Sequence, residues 1–374
     1  MYWSPPSVEP QSAATLSTLV LAELAQGTDW LGTWWPALAL GAAGLAAGVS
    51  HFRRVRRTWP MAACAIVLLA AGATTGANAA TGYVPSVGAA VFLLTHPASG
   101  ARGPGSEVTG EAIGAPIRLG VPASTTWVYT PPGYDPTATA RYPVVYLIHG
   151  TPGRSSDWFT AGDVTHVMDV MIAHHLVQPM IVVAPQVNSD GFDDTACLDS
   201  TRGGPQVETY LDDVVVPWID AHYRTAADWR HRVIGGMSSG GYCALDQGLR
   251  HPELFGAIIA LEPYDNPGSA GRTMLRTQAQ YDAHAPGVYL RSMTFQHDVP
   301  TFLDVGQDSH RDDASGTRRV AMTLAGRGQP FEFRQEPGER HSWTMARTGL
   351  PYGLAFASRR IPLQGRAQGQ GRAG

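Results

Sequence analysis

The stretch Gly236-Met237-Ser238-Ser239-Gly240-Gly241 carries a nucleophilic residue type at a spacing that would expose it. It follows a short apolar run, His231 to Gly235, and opens a helix-like one, Tyr242 to Leu249. A serine within G-x-S-x-G on a sharp strand-to-helix turn keeps its hydroxyl exposed, while the flanking glycines let neighbouring backbone pass close. Ser238 is therefore the candidate nucleophile. The pattern by itself is weak in a chain with 42 glycines, so its surroundings must decide. An acyl-transfer serine needs a base to take its proton, a carboxylate to orient that base, and donors aimed at the developing oxyanion.

The elements that must position those groups can be read in order. Upstream, Pro143 to Ile148 reads as a buried strand and runs into His149-Gly150-Thr151-Pro152-Gly153, a tight loop that bares backbone N–H groups. The oxyanion donors expected there are the N–H of Ser239, after the nucleophile, and that of Thr151. Downstream, Val299 to Val305 reads as another core strand ending at Gly306-Gln307-Asp308, which puts a carboxylate just past a strand end. Asp308 is preferred over Asp304, Asp312 and Asp313 as the orienting acid. One more helix and strand lead to Glu336-Pro337-Gly338-Glu339-Arg340-His341-Ser342-Trp343. His341 is chosen as base from thirteen histidines by its loop position rather than its type. The order Ser, Asp, His is that of an α/β-hydrolase.

The elbow GMSSGGY, the entry strand YPVVYLIHGTPG followed by Trp158, the Pro-Pro-Gly-Tyr-Asp at Pro131 to Asp135 and the closing HSW together carry a resemblance. Over roughly residues 105 to 362 the chain resembles the group of esterase D, feruloyl esterases, enterochelin esterases and mycolyltransferases, in the membrane-anchored form of high-GC actinobacteria. The resemblance implies an α/β-hydrolase fold, a mostly parallel sheet flanked by helices, and a serine esterase that needs no cofactor or metal. Apolar runs such as Ile181 to Val183, Val233 to Ile234 and Ala257 to Leu261 alternate with helix-like stretches such as Val207 to Tyr223, as that fold requires.

Composition narrows the classes further. All 27 basic side chains are arginine. P-loop, Schiff-base and Ser-Lys chemistry all need a lysine, so those readings fall away. The formal net charge of -4 is mild and no basic stripe interleaves with aromatics, which argues against nucleic acid as a partner. No H-E-x-x-H, paired C-x-x-C or EF-hand loop points to a metal, although Asp190, Asp193 and Asp194 cluster in one loop. Trp158, Phe192 and Tyr264 are either pocket walls or core.

The N-terminal region, residues 1–95, belongs to a different solvent. Uncharged runs at about 33–50 and 61–80 approach the roughly 20 residues that a bilayer helix needs. Between them lies His51-Phe52-Arg53-Arg54-Val55-Arg56-Arg57, while residues 1–30 hold no Arg or Lys, so this loop is expected on the cytoplasmic side and both ends outside. Trp30, Trp34 and Trp35 would form an outer interfacial belt. Ala13 to Ala25 is too short to span and would lie along the surface. The rival account is a late signal peptide cleaved near Ala79, which would release a secreted protein. Both place the hydrolase outside the cytoplasm. Cys197 and Cys243 could then form a disulfide near the active site or remain free thiols. Residues 96–116 have linker composition, 117–363 hold the hydrolase domain, and 364–374 read as a disordered tail.

The expectation is a membrane-anchored esterase acting on a small-molecule or a lipid or sugar ester. The alternatives are an acyltransferase of the mycolyltransferase type acting on envelope sugars or lipids, and a non-catalytic envelope protein on the same fold.

Overall fold

A computed structural model describes residues 15–53, 59–95, 105–188 and 193–362. Among the described residues eight strands form one sheet: β1 (Glu107–Ile113), β2 (Ser124–Thr130), β3 (Val144–Ile148), β4 (Ile181–Ala184), β5 (Arg232–Met237), β6 (Ala257–Leu261), β7 (Thr301–Gly306) and β8 (Phe331–Glu336). Their order is β1-β2-β4-β3-β5-β6-β7-β8. β2 runs antiparallel to both its neighbours and the remaining pairs are parallel.

The central strands are short β-branched runs buried along their whole length, as strands covered on both faces must be. Alternate side chains divide the core. Val145 and Leu147 of β3 join one layer with Met168, Met171, Leu350 and Leu354, whereas Val144, Tyr146 and Ile148 join the other with Leu245, Leu249, Val320 and Leu324. Helices Val164–Ala173 and Trp343–Ser358 cover the first face, and Val216–His222, Ser239–Arg250 and Arg311–Gly326 the second.

β1 corrects the expected linker. It lies inside residues 96–116 and pairs antiparallel with β2 over Glu107 to Ile113, so the sheet begins ten residues before position 117. Val108 enters one core layer and Ile113 the other, while the residues between them are partly or fully exposed, which suits an edge strand rather than a spacer. Residues 96–104 and the expected tail 364–374 lie outside the described residues.

The N-terminal region contains α1 (Thr18–Leu24), α2 (Trp35–Arg53), α3 (Trp59–Thr81) and α4 (Val87–Thr95). α2 and α3 cover the two expected apolar runs and pack as a hairpin, with Gly44 against Leu69 and Gly72 against the Gly41 backbone. Small residues at such crossings let the backbones approach. Among the described residues one helix, α3, is both long and apolar enough to cross a membrane. Of the arginine cluster, Arg53 ends α2, and residues 54–58 lie outside the described set.

α1 does not lie free along a surface. Leu16 and Val20 enter the first core layer, where α1 packs on Val164–Ala173. Glu23 accepts from the His174 ring at 2.8 Å, and the His166 ring meets the Glu23 carbonyl at 3.0 Å.

Candidate active site

β5 ends at Met237 and Ser238 stands at the turn into helix Ser239–Arg250 with φ 62° and ψ −124°. This is backbone that a side-chain-bearing residue rarely adopts, and such strain concentrates at functional turns. The turn is made possible by its glycines. A Cβ on Gly236 would collide with the Gly240 carbonyl, and one on Gly240 with the carbonyl of Ile148 in the next strand. Ser239 is the first residue of the helix, so its N–H has no intrahelical acceptor and is free for an oxyanion. Its hydroxyl donates to Asp194 at 2.6 Å.

The loop after β3 lies against the nucleophile. A Cβ on Gly150 would stand 3.1 Å from that of Ser238. His149 fastens this loop: its Nε2 accepts from the Val187 N–H at 3.3 Å, so Nδ1 carries the proton and donates to the Gly150 carbonyl at 2.8 Å. Burial strips water from this ring and lowers its pKa from 6.5 to about 4, so it stays neutral. The Thr151 hydroxyl accepts from Asn188 at 2.9 Å. Asp157, fully buried, accepts from the Arg154 N–H at 2.8 Å and closes the far end of the loop.

His341 and Ser238 line one cavity of about 480 Å³ with Gly150, Thr151, Met237 and Trp343. Its volume is that of a small-ligand pocket. The residue behind His341 is Glu262, with Oε2 3.4 Å from Nδ1. Glu262 is completely buried just past β6, in left-handed backbone at φ 51°. Its other oxygen, Oε1, accepts from the Gly306 N–H at 2.8 Å and the Ser309 hydroxyl at 2.6 Å. The carboxylate is therefore held rigidly with one oxygen turned to the imidazole.

Asp308 is not brought to His341. Its backbone N–H is bound by the Glu339 carbonyl at 2.8 Å, and the turn leaves its side chain exposed. Asp304 is buried with Arg334 3.6 Å away, and burial first, then Glu336, raises its pKa well above the usual range. Asp312 and Asp313 occupy the first turn of Arg311–Gly326. Sequence reasoning missed Glu262, although the signal was present: it follows the apolar run Ala257 to Leu261 directly, by the same logic that selected Asp308.

Tyr264, expected as a pocket wall or core residue, has its hydroxyl 2.7 Å from Ser238 Oγ. Its ring is parallel to that of His341, with centroids 6.2 Å apart. Burial raises its pKa to about 12, so the phenol keeps its proton. Trp158 is core, packed edge-on against Trp343 at 5.1 Å, while Phe192 and Asp190 lie outside the described residues. A second, polar cleft adjoins the first, with Asp194, Ser239, Tyr264, Asp265 and Asn266 among its walls. Cys197 and Cys243 are joined by a disulfide that ties the loop after β4 to the helix carrying the elbow.

Among the described residues, one group of side chains is close enough to hold a metal, Glu208 with Asp212 and His251. Arg250 already pairs with Glu208 there at 2.8 Å, and the group lies apart from Ser238.

Strand order, elbow and loop define an α/β-hydrolase. Residues 123–350 match the Esterase family, and the chain belongs to it. The chain is 34% identical over 135 residues to an endo-1,4-beta-xylanase/feruloyl esterase of Xylanibacter ruminicola, covering 35% of this chain and 18% of that one. It is 29% identical over 136 residues to an esterase of Mycobacterium tuberculosis, covering 36% and 28%. The chain thus matches about a third or less of the length of these curated relatives. Among solved structures, a ferulic acid esterase aligns with a TM-score of 0.60 at 24% identity, over 68% of this chain and 98% of that one. An S-formylglutathione hydrolase from Agrobacterium tumefaciens aligns at 0.58 and 19%, over 71% and 99%. These likenesses bear on the fold.

Proposed function

We propose that the protein is a membrane-anchored serine esterase whose hydrolase domain works outside the cytoplasm. The observation that carries the reaction is Ser238 on its strained elbow, sharing a cavity with a histidine that has a buried, fixed carboxylate behind it. His341 takes the Ser238 proton as Oγ attacks the ester carbonyl. Glu262 holds the imidazole and stabilises the imidazolium, and the N–H groups of Ser239 and Thr151 receive the oxyanion. The C–O bond breaks and the alcohol leaves with the proton from His341. Water, deprotonated by the same histidine, then releases the acid from Ser238.

The anchor is supported by α3 and by the apolar outer face of the hairpin, where Leu38, Leu45, Phe52, Ile66 and Val67 are exposed. α2 would be the second span, with Arg53 at its inner end and the exposed Trp30, Trp34 and Trp35 at its outer end. A hydrolase that shares core residues with α1 favours retention of the N-terminal region over cleavage near Ala79.

The polar cleft beside Ser239 supports a second reading, acyl transfer to an acceptor alcohol bound there. Product analysis with an acceptor alcohol present separates the two. The primary test is labelling of the full-length protein with a fluorophosphonate alongside hydrolysis of p-nitrophenyl acetate. The expected result is an adduct on Ser238 and a kcat lowered about 10⁴- to 10⁶-fold by Ser238→Ala. A folded protein with neither label nor turnover would remove the esterase reading.

A further inference from the structure

The outer end of the membrane hairpin is a wall of the active site. α3 has 23 residues and ends at Thr81. At about 1.5 Å per residue it is about 34 Å long, close to the bilayer's hydrocarbon thickness of roughly 30 Å. Thr81 and Tyr83 line the same cavity as Ser238 and His341. The cavity that holds the nucleophile therefore begins at the helix end itself.

The contact is built rather than incidental. Gly82, at φ 64°, lies so close to the start of helix Trp343–Ser358 that a Cβ there would stand 2.7 Å from the Thr344 nitrogen. The Gly82 carbonyl accepts from Arg347 at 2.7 Å, and Arg347 also bonds the Ala161 carbonyl. The Tyr83 hydroxyl donates at 2.7 Å to Asp157, the buried carboxylate that also holds the loop over the nucleophile. On the other flank α1 enters the hydrolase core. Two attachments, one on each side of the hairpin, hold the domain in one pose and not on a flexible tether.

We propose that the cavity opens at the membrane surface and that the substrate is an acyl ester resident in the same bilayer, its chain entering past Thr81 and Tyr83. The inference rests on the serine esterase reading. Ser238 attacks the lipid's acyl carbonyl, the ester C–O bond breaks, the alcohol portion departs toward the polar cleft, and water frees the fatty acid. An apolar chain already in the leaflet reaches the cavity without crossing water, which a soluble ester cannot exploit.

The test uses the full-length protein in phosphatidylcholine vesicles. The two substrates are a fluorogenic diacylglycerol embedded in vesicles and p-nitrophenyl acetate in the water. The expected result is hydrolysis of the diacylglycerol at least tenfold faster when enzyme and lipid share a vesicle than when they occupy separate ones. Thr81→Trp, which obstructs that wall, lowers the ratio of lipid to acetate turnover tenfold or more, with Thr81→Leu as a milder variant should the larger one misfold. Acetate turnover with label on Ser238, but no hydrolysis of lipid in the shared vesicle or equal rates from separate vesicles, overturns the proposal. Loss of label and of acetate turnover as well would instead remove the esterase reading beneath it.

Discussion

Two carboxylates compete for one role at the residue scale, and burial decides between them. Glu262 is wholly buried, bonded through one oxygen and turned to His341 through the other, whereas Asp308 faces solvent. Glu262→Gln is expected to lower kcat by about 10² to 10⁴ by losing the charge that holds the imidazolium, while Asp308→Asn stays within about threefold. The opposite ranking in steady-state kinetics would restore Asp308. Tyr264→Phe removes one hydrogen bond to the nucleophile and should lower kcat by roughly tenfold or less, as a single neutral hydrogen bond permits. His149 supplies a pH signature. Its folded pKa of about 4 lies below the ordinary 6.5, so the unfolded chain binds the proton more readily. Its share of stability is complete above pH 6.5 and is lost as pH falls toward 4, by up to about 1.4 kcal/mol per pH unit. Urea midpoints from pH 7 to 4.5 should show a steeper decline in the wild type than in His149→Asn. What the sequence made legible here was position: Ser238 on its turn, His341 in its loop. Glu262 and Asp308 both lie just past an apolar strand, so that local pattern offers both, and which one faces the histidine depends on side-chain packing between strands that are distant in sequence.

Among the elements, the parallel strands were legible because burial on both faces leaves continuous apolar runs, as in Val144–Ile148 and Ala257–Leu261. β1 was not, because an edge strand that buries only Val108 and Ile113 and has a glycine at its centre resembles a spacer in composition. α1 was hidden for a related reason: seven residues are too few to show a face, and only docking on Val164–Ala173 explains why Val20 is apolar. The Cys197–Cys243 bridge closes a loop of 46 residues, worth about 4 kcal/mol on the chain-entropy view. Cys197→Ser with Cys243→Ser should lower the melting temperature by about 8 to 16 °C for a domain of this size, read by calorimetry. An unchanged melting temperature would show that the bridge adds nothing to the native fold.

For the whole molecule, the N-terminal region and the hydrolase are one structure and not two modules in series. Leu16 and Val20 fill the hydrolase core, and Thr81 and Tyr83 complete its cavity. Intact mass of the protein recovered from membranes is therefore expected to include residues 15–79. A mature chain beginning near Ala80 would favour the secreted form. Val20→Asp, which places a charge in that core, should destabilise the hydrolase by about 3 kcal/mol even though α1 lies more than two hundred residues before the nucleophile.

The Arg347 bond to the Gly82 carbonyl spans 265 residues of chain, so the cavity has walls made far apart in time during synthesis. An elongating chain can present its elbow serine well before the last wall exists. Helix Trp343–Ser358 has to meet a segment made 265 residues earlier. A chain made only as far as its elbow serine therefore lacks the walls contributed by His341, Ser342 and Trp343, and has no finished pocket with which to act.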